Sequence, residues 1–327
     1  MEFRIYATKG TAFIFLLATS LAAMSAPKNA ADAWTIETTL RYWQSDGGTK
    51  WAFHNGEPQA GNPTSVLNWR DVKMQSGELV INFVSPDAVL INFEGGIGRA
   101  GHDGTILDDD YFSQDYANSL SGPTRFSHTS SELDNNTMKS LRIGIGARLH
   151  PAVPRLQYLD LTSGVSYQRE NYNAYGVYQM EDPYDQSGTG LLVPYNVKVL
   201  TMDVWYTAWD MLHASSRWTL YDKLHMDLEG IIQPYGHLSS VDSHLLRDDI
   251  THNTKLNSHA WGWRGRIGVG YDIAESVEVG AGYLAEAFYN SNRGNMVAYF
   301  GGMRDTYHLN WETFQRAGWY ANVTAKF

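Results

Sequence analysis

No cysteine occurs in the 327 residues, so disulfides and thiolate chemistry are both excluded. Basic charge is also scarce: Lys and Arg number 25 against 35 Asp and Glu, a formal net charge of -10. Nucleic acid demands a basic face, and this chain has none to offer. Long apolar runs are missing as well. The one near the N-terminus, "TAFIFLLATSLAAM" (11–24), is shorter than the roughly 20 apolar residues of a spanning helix. It follows Arg4 and Lys9 and precedes small residues, the pattern of a secretory signal. Residues 1–33 are therefore set apart as a signal segment, with Ala31-Asp32-Ala33 the cleaner cleavage match, and 34–327 are read as one domain. Beyond them no run of 18 apolar residues exists, so no spanning helix is expected in the mature chain.

What the chain has in quantity is aromatic side chains (20 Tyr, 11 Trp, 12 Phe) and 30 Gly. The C-terminus "GWYANVTAKF" alternates: Trp319, Ala321, Val323, Ala325 and Phe327 form one set, Tyr320, Asn322, Thr324 and Lys326 the other. A transmembrane strand needs that pattern, lipid on one face and a polar lumen on the other. It resembles the closing strand of bacterial outer-membrane barrels, which ends on an aromatic.

About ten strand-like segments follow one another, from "WTIETTLRYWQS" (34–45) to "NWETFQRAGWYANVTAKF" (310–327). Four connections read as short, near residues 86, 152, 214 and 275. The others (46–64, 99–131, 181–192, 240–255 and 292–309) read as long. Short and long alternate, as periplasmic turns and outer loops do. The expected fold is all-β, a closed antiparallel transmembrane barrel of about ten strands. Several segments exceed the roughly 9–11 residues that cross a bilayer, so the barrel should project above it. A barrel this narrow is filled by side chains, which places function at the outer rim.

Two rim segments carry candidate chemistry. In "TILDDDYF" (105–112), Asp108 and Asp110 stand two apart and share one face of an extended chain; Asp109 faces the other way and is expected to be solvated. In "SSVDSHLLRDD" (239–249), Asp242 and His244 have the same spacing. In a ten-stranded barrel these segments lie across the rim from one another. Two like charges at close range leave one carboxyl with a raised pKa, and a carboxylate beside His244 favours its charged form. His237, His252 and His259 also lie near the second segment, but rim histidines without a ligand set are not read as a metal site, and Asp248 and Asp249 read as a solvated face.

These motifs resemble the omptins, outer-membrane proteases of ten-stranded barrel fold. Their D-x-D followed by an aromatic is matched by Asp108-Asp109-Asp110-Tyr111, and their D-x-H by Asp242-Ser243-His244. Their S-x-L-x-W opening of the second strand is matched by Ser65-Val66-Leu67-Asn68-Trp69. The resemblance implies a monomeric surface endopeptidase in contact with outer-membrane lipid and with peptide or protein substrates. It implies no covalent nucleophile and no cofactor: a water activated between Asp108 and His244, Asp242 orienting the imidazole, and Asp110 paired with Asp108. Lipopolysaccharide stands as a candidate activator. Two departures are visible. Ser240 replaces an acid that helps omptins hold a basic substrate side chain, and only Asp46 stands near the place of its partner, so the preference for Arg or Lys should be weaker. Of the lipid-contacting Y-x-E-x-R, Tyr167 is kept while Arg169 and Asn171 replace the acid and the base. The other reading is a non-enzymatic barrel of the same shape, serving as adhesin, structural protein or small pore.

Overall fold

The computed structural model describes residues 33–184, 189–246, 254–300 and 303–327. All but the last residue of the expected signal segment 1–33 lies outside the described residues, as do Asp248, Asp249 and His252. Thirteen strand segments form one antiparallel sheet that closes on itself: β1 (Thr35–His54) pairs with β13 (Met303–Lys326) from Glu37↔Lys326 to His54↔His308. Three staves of the barrel are each interrupted once. β2 (Ala60–Arg70) and β3 (Met74–Val84) both pair with β1. β4 (Val89–Ala100) continues as β5 (Thr105–Phe112), and β6 (Arg125–Leu133) as β7 (Asn136–Leu149). The remaining staves are β8 (Leu156–Glu181), β9 (Gly190–Tyr221), β10 (Leu224–His244), β11 (Thr254–Ala274) and β12 (Val277–Phe300). The ring therefore has ten staves. No helix among the described residues is long and apolar enough to cross a membrane; the short α1 (Gln114–Ser119), capped by Ser113, sits in an outer connection.

Two expectations are corrected. The turn placed near residue 214 lies instead at Asp222-Lys223, where Asp222 takes the left-handed φ of 43° that Asp tolerates. Leu212 to Ser216 stay in the β9 ladder, paired with β10. The long loops shrink too: 46–54 and 60–64 are strand, as are 105–112 and 125–131, because the ladder continues well above the part that spans the bilayer. β9 runs for 32 residues, about three times what a crossing needs.

Alternation sorts the side chains. Ile97, Ile145, Val165, Ile267, Val269 and Trp319 point outward and are exposed. Inside, from the end carrying the short turns upward, come charged residues, then an apolar plug, then the rim. The lower layer joins Arg41 to Glu78 at 2.7 Å, Arg148 to Glu37 and Asp160, and Arg217 to Asp227 and Glu278. Trp43, Trp69, Met138, Tyr172, Tyr206, Phe288 and Phe314 form the plug, with Tyr206 stacked on Phe288 and Phe288 on Phe314. Two interior cavities below the rim measure about 70 and 20 Å³.

Candidate active site

The plug is the floor of a cleft, and the candidate residues stand on it. They sit on strands, not in loops. β5 pairs with β2 in the register Trp69↔Ile106, Leu67↔Asp108 and Ser65↔Asp110. Buried Trp69, Leu67, Ser65 and Ile106 set the inward face, and Asp108 and Asp110 share it. The Ser65 hydroxyl donates to Asp108 Oδ1 at 3.3 Å. From the other side, β10 brings Leu238, Ser240 and Asp242 inward, all buried. Asp242 Oδ2 is 3.5 Å from His244 Nε2, and both residues lie at the top of the strand, paired with Met202 and Leu200 of β9.

The two halves meet electrostatically. Burial, then the Asp110 charge, raises the Asp108 carboxyl well above the usual carboxylate range; His244 pulls it down and Asp242 pushes it up. The charges of all three other groups thus act on Asp108. A buried carboxyl of raised pKa, a second carboxyl beside it, and an imidazole backed by a carboxylate are the components of general acid–base catalysis on a water.

Asp109 faces outward as its position in the alternation requires, but it is not solvated. It accepts from Arg125 at 3.2 Å and lies 2.6 Å from His128 Nδ1, and Arg125 reaches on to Glu181. Sequence reasoning missed this because His128 and Arg125 come from β6, beyond α1. An Asp109→Ala chain should lose only this outer tie, so its cleavage rate should fall by less than roughly tenfold, the scale of a partly exposed ion pair. Rates of this variant and of Asp108→Ala, measured side by side, check the face assignment.

Ser240 is in the cleft floor, and there the structure adds a residue. Its hydroxyl donates at 3.1 Å to Oε1 of Glu312, which is fully buried on β13. Glu312 comes from a strand two staves beyond β11. Nothing in the local pattern around "NWETF" marks Glu312; only closure of the ring brings it to Ser240. Asp46 is a correction in the opposite sense. Ser45, Thr49 and Trp51 take the inward positions, so Asp46 is exposed on the outer surface and does not reach the cleft. Tyr167 also points outward, on a groove with Leu141, Val165, Trp209 and Tyr235. Arg169 and Asn171, in place of the acid and the base, both bond Asp203. His237 and His259 face each other on β10 and β11, ring centroids 6.3 Å apart.

Compared with solved structures, the chain superposes on the outer membrane protease OmpT from Escherichia coli with a TM-score of 0.71. The two are 14% identical, and the match covers 90% of this chain and 97% of that one. The translocator domain of the autotransporter NalP from Neisseria meningitidis matches at a TM-score of 0.36 and 12% identity, over 97% of this chain and 95% of that one. No family model matches the chain, and no curated protein matches it either. The likeness to OmpT is therefore one of fold.

Proposed function

We propose that this chain, a divergent omptin-like barrel, is an outer-membrane endopeptidase with its cleft on the extracellular side. The observation that supports it is that the charges of Asp110, Asp242 and His244 all act on Asp108 above the plug, at the end of the barrel opposite the short turns, with Asp242 3.5 Å from His244. A water held between Asp108 and His244 gives its proton to the neutral imidazole as its oxygen attacks the peptide carbonyl. Asp242 stabilises the imidazolium that forms. The proton kept on Asp108 hydrogen-bonds to the oxygen that becomes negative, and the imidazolium proton passes to the leaving amine. No bond to the protein is made. The non-enzymatic reading needs none of this convergence.

Substrate preference follows from charge. Asp108, Asp110 and Asp242, with Glu312 behind Ser240, set four carboxyls against one imidazole, so the cleft attracts cationic peptides. Glu312 behind Ser240 restores negative potential at the floor, so a basic side chain should be favoured at the cleaved bond. Digestion of a peptide library by refolded protein should show that enrichment, and Glu312→Gln should diminish it; a library cut without regard to charge refutes this part. The outward Tyr167 groove supports contact with outer-membrane lipid, including lipopolysaccharide.

The proton on Asp108 makes the pH dependence testable. Activity should rise as His244 becomes neutral and fall as pH climbs through the raised value of Asp108, because the ionised carboxylate cannot donate. The two carboxyls titrate as a pair. Asp110→Asn removes the like charge that helps to raise Asp108, so the alkaline limb should move to lower pH. An alkaline limb that stays in place in Asp110→Asn would refute the coupling.

A further inference from the structure

At the opposite end of the barrel, β10, β11 and β12 bring together a group that the proteolytic reading does not use. His225 pairs with Gly270 across β10 and β11, and Asp272 pairs with Glu278 across β11 and β12. One ligand atom from each of His225, Asp272 and Glu278 falls within 4.8 Å of the others. His225 is 1% exposed, and neither of its ring nitrogens makes a hydrogen bond. Its Nε2 lies 3.2 Å from Glu278 Oε1, but off the line a hydrogen bond requires. Gly270 makes room for the ring, since a Cβ there would collide with Nε2.

Two features of this cluster are costly as they stand. A buried imidazole whose Nδ1 has no partner, and whose Nε2 has only the Glu278 contact and Asp227 Oδ2 at 3.8 Å, neither aligned as a hydrogen bond, calls for a better partner. Two carboxylates directly opposite in a ladder repel. The cations nearby serve other oxygens: Arg217 forks onto Asp227 and Glu278, and Lys326 stands 3.4 Å from Glu278. Among the described residues no cationic side chain pairs with Asp272. Asp227, Asp272 and Glu278 outnumber Arg217 and Lys326 by one charge.

We propose that His225, Asp272 and Glu278 bind a divalent first-row metal ion, with Zn²⁺ the best match to one imidazole and two carboxylates. Neutral His225 gives a ring nitrogen, Asp272 an oxygen free of other partners, and Glu278 a lone pair that the Arg217 fork leaves unused. The ion cancels the repulsion between the carboxylates and clips three staves beside the β11–β12 turn. Because the ligands assemble only in the closed barrel, binding stabilises the folded state.

The test uses the full chain, refolded in detergent and stripped with EDTA, titrated calorimetrically with ZnCl₂. One Zn²⁺ per chain is expected, with a rise in the urea midpoint when Zn²⁺ is added. His225→Ala and Asp272→Asn should each weaken binding by roughly 10–100-fold or more, the loss that even outer-shell partners cause. His237→Ala, on the outer surface, should bind as the unaltered chain does. Asp272→Asn keeps the shape of a partly exposed side chain, so it reports even where His225→Ala fails to refold. Absence of saturable Zn²⁺ binding, or unchanged binding in Asp272→Asn, overturns the proposal.

Discussion

Asp108→Ala and His244→Ala are each expected to abolish peptide cleavage to within the background of the assay, a loss of at least about 10²–10⁴-fold, in barrels that should still show heat-modifiable mobility. The size of the effect follows from placement. Asp108 is the carboxyl whose pKa burial and Asp110 raise, and His244 is an imidazole whose charge acts on it. Each does its work in the same step, on the same water, so removing both should cost little more than removing either one. Folding is not at stake in the same degree. Asp108 sits on a ladder whose hydrogen bonds are backbone bonds to β2 and β6, and loss of its side chain relieves a cluster of like charges. The measurement is kcat/KM on one good peptide for the two single variants and the double variant. Cleavage by either single variant at the unaltered rate would remove the proposed site, and a double variant far worse than both would mean that the two residues act independently.

The number of staves was legible because alternation is strongest where lipid lies on one side and a packed lumen on the other, as from Trp319 to Ala325. Above the bilayer that contrast fades. Both faces of β2, β5 and β6 carry polar residues, so 46–64 and 99–131 read as loop although the ladder runs through much of them. "LHASS" read as a turn for a related reason: Ser215 and Ser216 resemble turn residues, and their pairing with Glu229 and Leu228 is not visible locally. The site was legible where its residues are close in sequence. D-x-D and D-x-H each place two groups on one face of one strand, and the strand geometry carries the rest. Glu312 and the His128–Asp109 pair were not legible, since each contact joins different strands. Asp46 was misplaced by proximity: it is near the cleft along the chain, but its neighbour Ser45 takes the inward position.

The remaining large effect concerns what holds the cleft floor up. Arg316 is 1% exposed, and it bridges staves on opposite sides of the lumen. Its Nε and Nη2 donate to the two oxygens of Glu170 at 3.1 and 2.7 Å, and its Nη1 donates to the carbonyl of Val72 at 3.0 Å. Val72 lies in the break between β2 and β3, so the guanidinium ties that break to β8. Glu170 also accepts from Tyr172 at 2.6 Å and from Gln168 at 3.2 Å, but neither donor carries charge. Arg316→Met leaves Glu170 buried without a counter-charge, and the expected loss of stability is about 3–5 kcal/mol. Replacing both partners removes the stranded charge together with the pair. Arg316→Met with Glu170→Met should therefore recover most of that loss, because a buried ion pair and a well-packed apolar pair of similar volume are close in stability. Urea unfolding of the three chains in one detergent, followed by tryptophan fluorescence, reads the effect directly, since Trp69 packs on Tyr172 with ring centroids 5.4 Å apart. The single variant should also cleave more slowly than the double variant, because β2 carries Ser65, the donor to Asp108. A single variant as stable as the unaltered chain would show that Arg316 does not hold the floor, and a double variant as unstable as the single one would assign the loss to packing and not to the stranded carboxylate.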